Sequence, residues 1–238
     1  MSYREHAPPP ALAAWLECTW QREGLAGPPV RVVPDGCIDI VWTEGEGTHL
    51  VGPNTTAFEV ALPLGARVVG ARMRPGAAPA LFGLDAQEVR DARLPLSEVL
   101  GDDGRRLGAV LDDTDARVRA LLHAIHARAR PATAPDPLVR AAVARLDEPD
   151  ANVAGLADGL NVSERQLRRR LTSAVGYGPK RLARVLRLRR ALAAAQRGDD
   201  LAWVALDAGY SDQAHFTHDC TALAGVSPGR FLQDAARR

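Results

Sequence analysis

The sequence predicts an α+β protein. A small β-sheet or barrel-like domain with flanking helices comes first, then an all-α domain of two helix-turn-helix units joined by a connecting helix. Three observations predict this. Short β-branched runs crowd residues 30–73. A proline-rich stretch, "ARARPATAPDP" (127–137), separates them from the second half of the chain. Beyond it, a segment of helical periodicity repeats after about 48 residues.

In the first half, "VRVVP" (30–34), "CIDIVW" (37–42), "THLVG" (48–52), "FEVAL" (58–62) and "ARVVGARM" (66–73) read as strands. Turn residues such as Pro34-Asp35-Gly36 and Pro53-Asn54 separate them. Alternation in "CIDIVW" puts Cys37, Asp39 and Val41 on one face and Ile38, Ile40 and Trp42 on the other. "PGAAPALFG" is a short helical piece. "TDARVRALLHAIHARA" (114–129) is a longer helix, with Val118, Leu121, Leu122 and Ile125 at helical spacing. That stripe packs on its own sheet or pairs with a second copy of the chain. Pro131, Pro135 and Pro137 then make a linker. The expected domains are residues 1–130, a linker at 131–137, and residues 138–238.

The second half holds the repeat. "LADGLNVSERQLRRRLTSAVGYGPKRL" (156–182) lies over "VALDAGYSDQAHFTHDCTALAGVSPGRF" (204–231). In each copy a short helix carries a small Ala (Ala157, Ala205) where a second helix must come close. Four residues on stands Asn161 or Gly209, the residue types that best accept positive φ in a tight turn. Ser163 is a good N-cap with Gln166 as its capping-box partner; Ser211 or Asp212 serves in the second copy. Recognition helices are expected at about 164–174 and 212–222. Leu167 and Leu171, or Phe216 and Cys220, anchor them inward. The outward faces then present Arg165, Gln166, Arg168, Arg169 and Thr172 in one copy, and Gln213, Ala214, His215, Thr217 and His218 in the other. One helix fits a major groove, so these side chains are candidates to touch DNA. Between the units, "PKRLARVLRLRRALAAAQRG" (179–198) reads as a connecting helix with Leu182, Leu186 and Ala193 on one face.

Composition narrows the function. Of 238 residues, 46% are hydrophobic and 25% charged, an ordinary globular mix. No run of about 18 apolar residues predicts a membrane span. The start, "MSYREHAPPPALAAW", lacks the pattern of a secretory signal. Cys18, Cys37 and Cys220 are odd in number and far apart, so neither a disulfide framework nor a CxxC metal knuckle is expected. The cytoplasm is the expected compartment. His215 and His218, like His123 and His126, are three apart, too few to hold a metal. No Ser-His-Asp order or phosphate-cradling glycine loop predicts an enzyme. Residues 1–135 carry 14 Arg against 17 acids, net −3; residues 136–238 carry 16 Lys+Arg against 12, net +4. The basic excess, mostly between Arg165 and Arg197, suits a polyanion.

With these motifs in hand, residues of about 140–235 resemble the DNA-binding domain of the AraC/XylS family of bacterial transcription regulators. "LADGLNVSERQLRRRL", "GYGPKRLARVLRLRRAL", "VALDAGYSDQAHF" and "AGVSPGRF" carry the resemblance. It implies a sequence-specific regulator, expected to be an activator, with both recognition helices in successive major-groove segments of double-stranded DNA. RNA polymerase is an expected partner, and a monomer or homodimer the expected form. Family members often carry Arg where this chain has His218, and a larger apolar residue at Arg170 and Cys220. The first unit should therefore supply most of the affinity.

The first half is similar, through "VVPDGCIDIVW", "VGPNT" and "VGARMRPGAAPALFG", to a regulatory domain of PDGC-motif type found ahead of this module. An unknown small-molecule effector is then expected, with Cys37, Asp39, Trp42, Arg72 and Arg74 as candidate pocket residues. Simple turn and core roles explain each of them as well. Cys37 as a thiol sensor, or as the nucleophile of an alkyl-transfer enzyme, is the competing reading; it requires an exposed thiol of lowered pKa. No cofactor is expected.

Overall fold

The computed structural model describes residues 3–23 and 29–236. The first half contains β1 (Arg4–His6), β2 (Leu16–Glu23), β3 (Val30–Val32), β4 (Ile38–Thr43), β5 (Gly47–Val51), β6 (Phe58–Val60), β7 (Arg67–Met73) and β8 (Arg93–Pro95). Six strands form one antiparallel sheet in the order β1-β2-β7-β4-β5-β8, and β3 pairs with β6 in a separate ribbon. The described sheet is open rather than closed into a barrel. Helices α1 (Ala78–Phe82), α2 (Leu96–Leu100), α3 (Asp102–Asp113) and α4 (Arg117–Ala129) join it.

Ile38, Ile40 and Trp42 point into one core with Val69, Ala71 and Met73 of β7 and with Leu111, Leu121 and Ile125 of the helices. The expected alternation in "CIDIVW" thus decides which face is covered. In α4, Leu121 and Ile125 are buried while Val118 and Leu122 are half-buried. This helix packs on its own sheet, as one of the two expectations held. Three strands escaped the sequence reading: β1, β2 and β8. Of these, β2 is eight residues long and lies between β1 and β7.

After residues 131–136 come α5 (Pro137–Leu146), α6 (Leu156–Gly159), α7 (Glu164–Val175), α8 (Pro179–Gln196), α9 (Leu201–Asp207), α10 (Gln213–Ala224) and α11 (Pro228–Ala236). Asp136 caps α5 by accepting from the Leu138 amide at 2.9 Å. Two cores lie side by side. One gathers Leu156, Ala157, Leu167, Leu171 and Val175 around the first half of α8, through Leu182, Val185 and Leu186. The other gathers Val204, Ala205, Phe216, Cys220 and Leu223 around its second half, through Leu188, Ala191 and Leu192. A single 18-residue helix thereby serves both units. Ala193, expected on the buried stripe with Leu182 and Leu186, is exposed; Ala194 and Ala195 are buried in its place. Eleven residues make about three turns, so Ala193 does lie nearly in line with Leu182. The second core instead covers the other side of α8, through Leu188, Ala191 and Ala195, and leaves Ala193 in solvent.

Candidate nucleic-acid interface

The two units repeat at the level of hydrogen bonds. After α6, Asn161 adopts φ 53°; after α9, Gly209 adopts φ 88°. The next residue folds back each time. Val162 donates to the Ala157 carbonyl at 3.1 Å, and Tyr210 donates to the Ala205 carbonyl at 2.8 Å. Ser163 and Gln166 form the full capping box at the start of α7. Asp212, of the two candidates, caps α10, accepting from the His215 amide at 2.7 Å. Both recognition helices end on a left-handed glycine, Gly176 with φ 90° and Gly225 with φ 73°, as a C-terminal cap requires. Pro179 and Pro228 then open the following helices.

Leu167, Leu171, Phe216 and Cys220 are buried, so the opposite faces look outward. On α7, Arg165, Gln166, Arg168 and Arg169 are exposed, and Thr172 is half-buried at the margin. The three arginines have no ion-pair partner among the described residues. On α10, Gln213, Ala214, His215 and His218 are exposed and Thr217 is half-buried. His215 is held locally: its Nδ1 lies 3.1 Å from Ser211 Oγ and its ring meets Tyr210 edge-on at 5.1 Å. Arg170, exposed on the same helix, pairs with Asp136 at 2.8 Å. That pair ties the linker to the first recognition helix.

The arginines of α8 are a correction to the charge reading. The stretch from Arg165 to Arg197 is not one free basic face. Arg184 donates from Nε to Asp219 at 2.8 Å, and Asp219 is only 3% exposed. The Tyr210 hydroxyl donates to the other Asp219 oxygen at 3.2 Å. Arg187 covers the Tyr210 ring at 4.7 Å and donates to the Gly209 carbonyl at 3.1 Å. Arg190 donates to Asp147 and to the Ala208 carbonyl. These side chains lock the second unit onto the first. Their partners sit far along the chain, so the run reads as free surface until the helices meet.

The first half grips both recognition helices at their C-terminal ends. For α7, the Ala86 amide donates to the Ser173 carbonyl at 2.8 Å and the Ser173 hydroxyl donates to Asp85 at 2.7 Å. Arg90 donates to the Gly176 carbonyl at 3.3 Å. A Cβ on Gly176 would stand 2.6 Å from Pro53 Cγ, so only glycine allows that approach. For α10, the Ala57 amide donates to the Leu223 carbonyl at 2.8 Å, and Arg31 donates to the Ala224 carbonyl at 3.2 Å. Carbonyls at a helix C-terminus lack internal donors and carry the negative end of the dipole, so an N–H or an arginine there is favourable. Arg189 of α8 adds a pair with Glu17 at 3.0 Å, and Arg181 donates to the Thr55 carbonyl at 2.8 Å.

The five candidate ligand residues do not line one pocket. Trp42 is on the core face, its Nε1 donating to Asp112 at 2.7 Å. Cys37 and Asp39 are on the other face, and Arg72 joins them there. Arg72 lies among three acids, Asp35 at 3.2 Å, Asp39 at 3.5 Å and Glu5 at 3.6 Å, so it has little charge left for an anion. Arg74 is exposed and donates to the Ala13 carbonyl at 2.7 Å. Burial pushes the Asp39 carboxyl up to about 6, against the pull of Arg72 and of the Trp20 Nε1–H that donates to it. Cys37 is 4% exposed. Its thiol donates toward Glu17, and burial with the nearby Asp35 and Glu17 charges pushes its pKa well up. The sensor and nucleophile readings need the reverse on both counts. No metal-ligand cluster occurs among the described residues. None of their helices is long and apolar enough to cross a membrane.

Two family descriptions match the chain: "Domain of unknown function (DUF6597)" over residues 4–95, and "Helix-turn-helix domain" over residues 156–234. No curated protein matches it. Among solved structures, ToxT from Vibrio cholerae is similar over 98% of this chain and 99% of its own, with 10% identity and a TM-score of 0.52. That likeness extends the shared fold across both halves. The C-terminal domain of AraT, a response regulator from Geobacillus stearothermophilus, is 24% identical over 41% of this chain and 85% of its own, with a TM-score of 0.39. A transcriptional regulator from Chromobacterium violaceum, described by its AraC-type DNA-binding domain, is 24% identical over 42% of this chain and 94% of its own, with a TM-score of 0.39.

Proposed function

We propose that this chain, whose residues 156–234 form an AraC-type helix-turn-helix domain, reads DNA through the outward faces of α7 and α10 and sets their joint posture through its first half. The protein is a DNA-binding transcription regulator. The observation that carries the reading is the unpaired trio Arg165, Arg168 and Arg169 on a fully capped helix, beside the exposed Gln213, His215 and His218 of its structural repeat. Arginine forks suit phosphates and guanine edges; the second unit, with histidines and an alanine, contributes fewer such contacts. Residues 1–130 are the sensing half in this reading, 131–137 the linker and 138–238 the reading half. The grip on both helix C-termini supports the view that a signal in the first half changes DNA affinity by changing how the two helices are held together.

The test begins with selection of bound sequences from random duplex DNA by the full chain. Binding of the selected site is then followed by fluorescence anisotropy. Arg169→Ala is expected to cost about 1–3 kcal/mol and His218→Ala less, with affinity falling steeply as salt rises. Failure to enrich any sequence removes the DNA reading. A larger loss in His218→Ala reverses the ranking of the two units.

A further inference from the structure

We propose that the cleft between the β1–β2–β7 corner of the sheet and the first turn of α4 binds a small organic anion with an apolar body. The cleft has a volume of about 920 Å³. That falls within the roughly 300–1,000 Å³ typical of small-molecule sites. It opens where the helix-covered face of the sheet runs out toward solvent. Val69 of β7 with Val118 and Leu122 of α4 supply apolar lining.

The charge lining it is unbalanced and partly uncommitted. The side chains of Arg4 and Arg119 are exposed and have no hydrogen-bond or ion-pair partner among the described residues. Arg67 also lines the cleft, but Glu44 and Asp115 hold it. Glu23 and Asp115 are the acids of the lining. Arg117 is the decisive residue. It is 7% exposed, its guanidinium stacks over Trp42 at 4.0 Å, and the carboxylate it pairs with, Asp115, stands at 3.5 Å. Its Nε–H is buried and has no acceptor among the described residues. Its ion pair is long and made to an acid that is itself 93% exposed, so the guanidinium keeps charge to offer a carboxylate or sulfonate in the cleft. The thirteen-residue α4 starts at this same arginine, and no side chain caps it. Its first-turn N–H groups and positive dipole end favour an anion at that place. The apolar lining favours a ligand with a hydrocarbon or aromatic body over a bare inorganic ion.

This inference deepens the sensing half of the functional reading and rests on that reading for its purpose. Its readout is ligand binding to DNA-free protein, so failure here leaves the DNA-binding reading standing, and the reverse also holds. The probe pair is 8-anilinonaphthalene-1-sulfonate and N-phenyl-1-naphthylamine, the same aromatic body with and without the acid group. Titration of the full chain, followed by fluorescence, is expected to show one sulfonate site per chain and at least about tenfold weaker binding of the neutral compound. Arg4→Ala/Arg119→Ala alters two exposed side chains and should keep the fold, checked by near-ultraviolet circular dichroism. It should weaken the sulfonate by about tenfold or more and leave the neutral compound unchanged. Leu122→Trp fills the cleft and should weaken both. Inorganic phosphate should displace the sulfonate no better than chloride at equal ionic strength. Equal binding of the two probes, undiminished sulfonate affinity in the double variant, or displacement by phosphate alone overturns the proposal.

Discussion

Exchanging the turn residues of the two units should have unequal consequences, although the positions are equivalent in the repeat. Asn161→Gly keeps a φ of 53° that glycine accepts freely, so the cost is expected at about 1 kcal/mol or less. Gly209→Asn places a residue tolerant of positive φ at 88°, so backbone strain alone adds at most about 1 kcal/mol. The dominant effect is contact. A Cβ on Gly209 would lie 2.1 Å from the Pro149 carbonyl oxygen and 3.2 Å from its carbon. Those are backbone atoms and cannot rotate aside. Arg190 also fixes the loop there, donating to the Asp147 and Glu148 carbonyls. Overpacking of this kind costs about 1–3 kcal/mol, so the total for Gly209→Asn is about 1–4 kcal/mol. Urea denaturation of both variants, followed by tryptophan fluorescence and circular dichroism, measures the difference. A loss below about 1 kcal/mol for Gly209→Asn would refute the reasoning, because it would mean that the α9–α10 turn and the 147–150 loop are not pressed together.

Three further outcomes are expected. Asp39 ionises near 6 when folded but near 4 when unfolded, so the folded state holds its proton longer. Stability contributed there is full below about pH 4 and is lost as pH rises toward about 6; Asp39→Asn should flatten that fall, of order 2 kcal/mol, in denaturation midpoints measured from pH 4 to 7. Arg184→Ala strips the 3%-exposed Asp219 of its cation and leaves only Tyr210. Because the Arg184 side chain is 41% exposed, the cost is discounted to about 2 kcal/mol, and Arg184→Lys should recover part of it in the same assay. Cys18, Cys37 and Cys220 are all buried, so native labelling with Ellman's reagent should be slow and should quicken only on unfolding. Rapid modification at Cys37 would restore the thiol-sensor reading.

The parts of this protein that were legible in advance are local ones. Asn161 and Gly209 advertise positive φ, Ser163 and Gln166 advertise a capping box, and Leu167, Leu171 and Phe216 advertise a buried stripe; each rule acts within one or two turns. Strand β2 hid because its pattern is inverted. Thr19 and Gln21 point to the helix-covered face while Cys18 and Trp20 point away, so alternation in "LECTWQRE" gives a polar inner row. The grip on the recognition helices was invisible for another reason. Half of it is made by backbone groups, the Ala57 and Ala86 amides and the Ser173 and Leu223 carbonyls, which every residue type possesses. The arginines of α8 were misread because their charge is visible in sequence and their distant acids, Asp147, Asp219 and Glu17, are not visibly adjacent.

The way the first half holds α7 and α10 limits how freely evolution or an engineer could recombine these modules. A reading half severed near Pro131 would surrender the Ser173, Gly176, Leu223 and Ala224 oxygens to solvent and free two rods that now share one anchor. A new front half grafted onto it must bring its own amides and guanidinium groups to four particular carbonyls. Compatibility between sensor and reader is therefore a matter of matching surfaces at the blunt ends of the reading helices, well away from the bases they would touch.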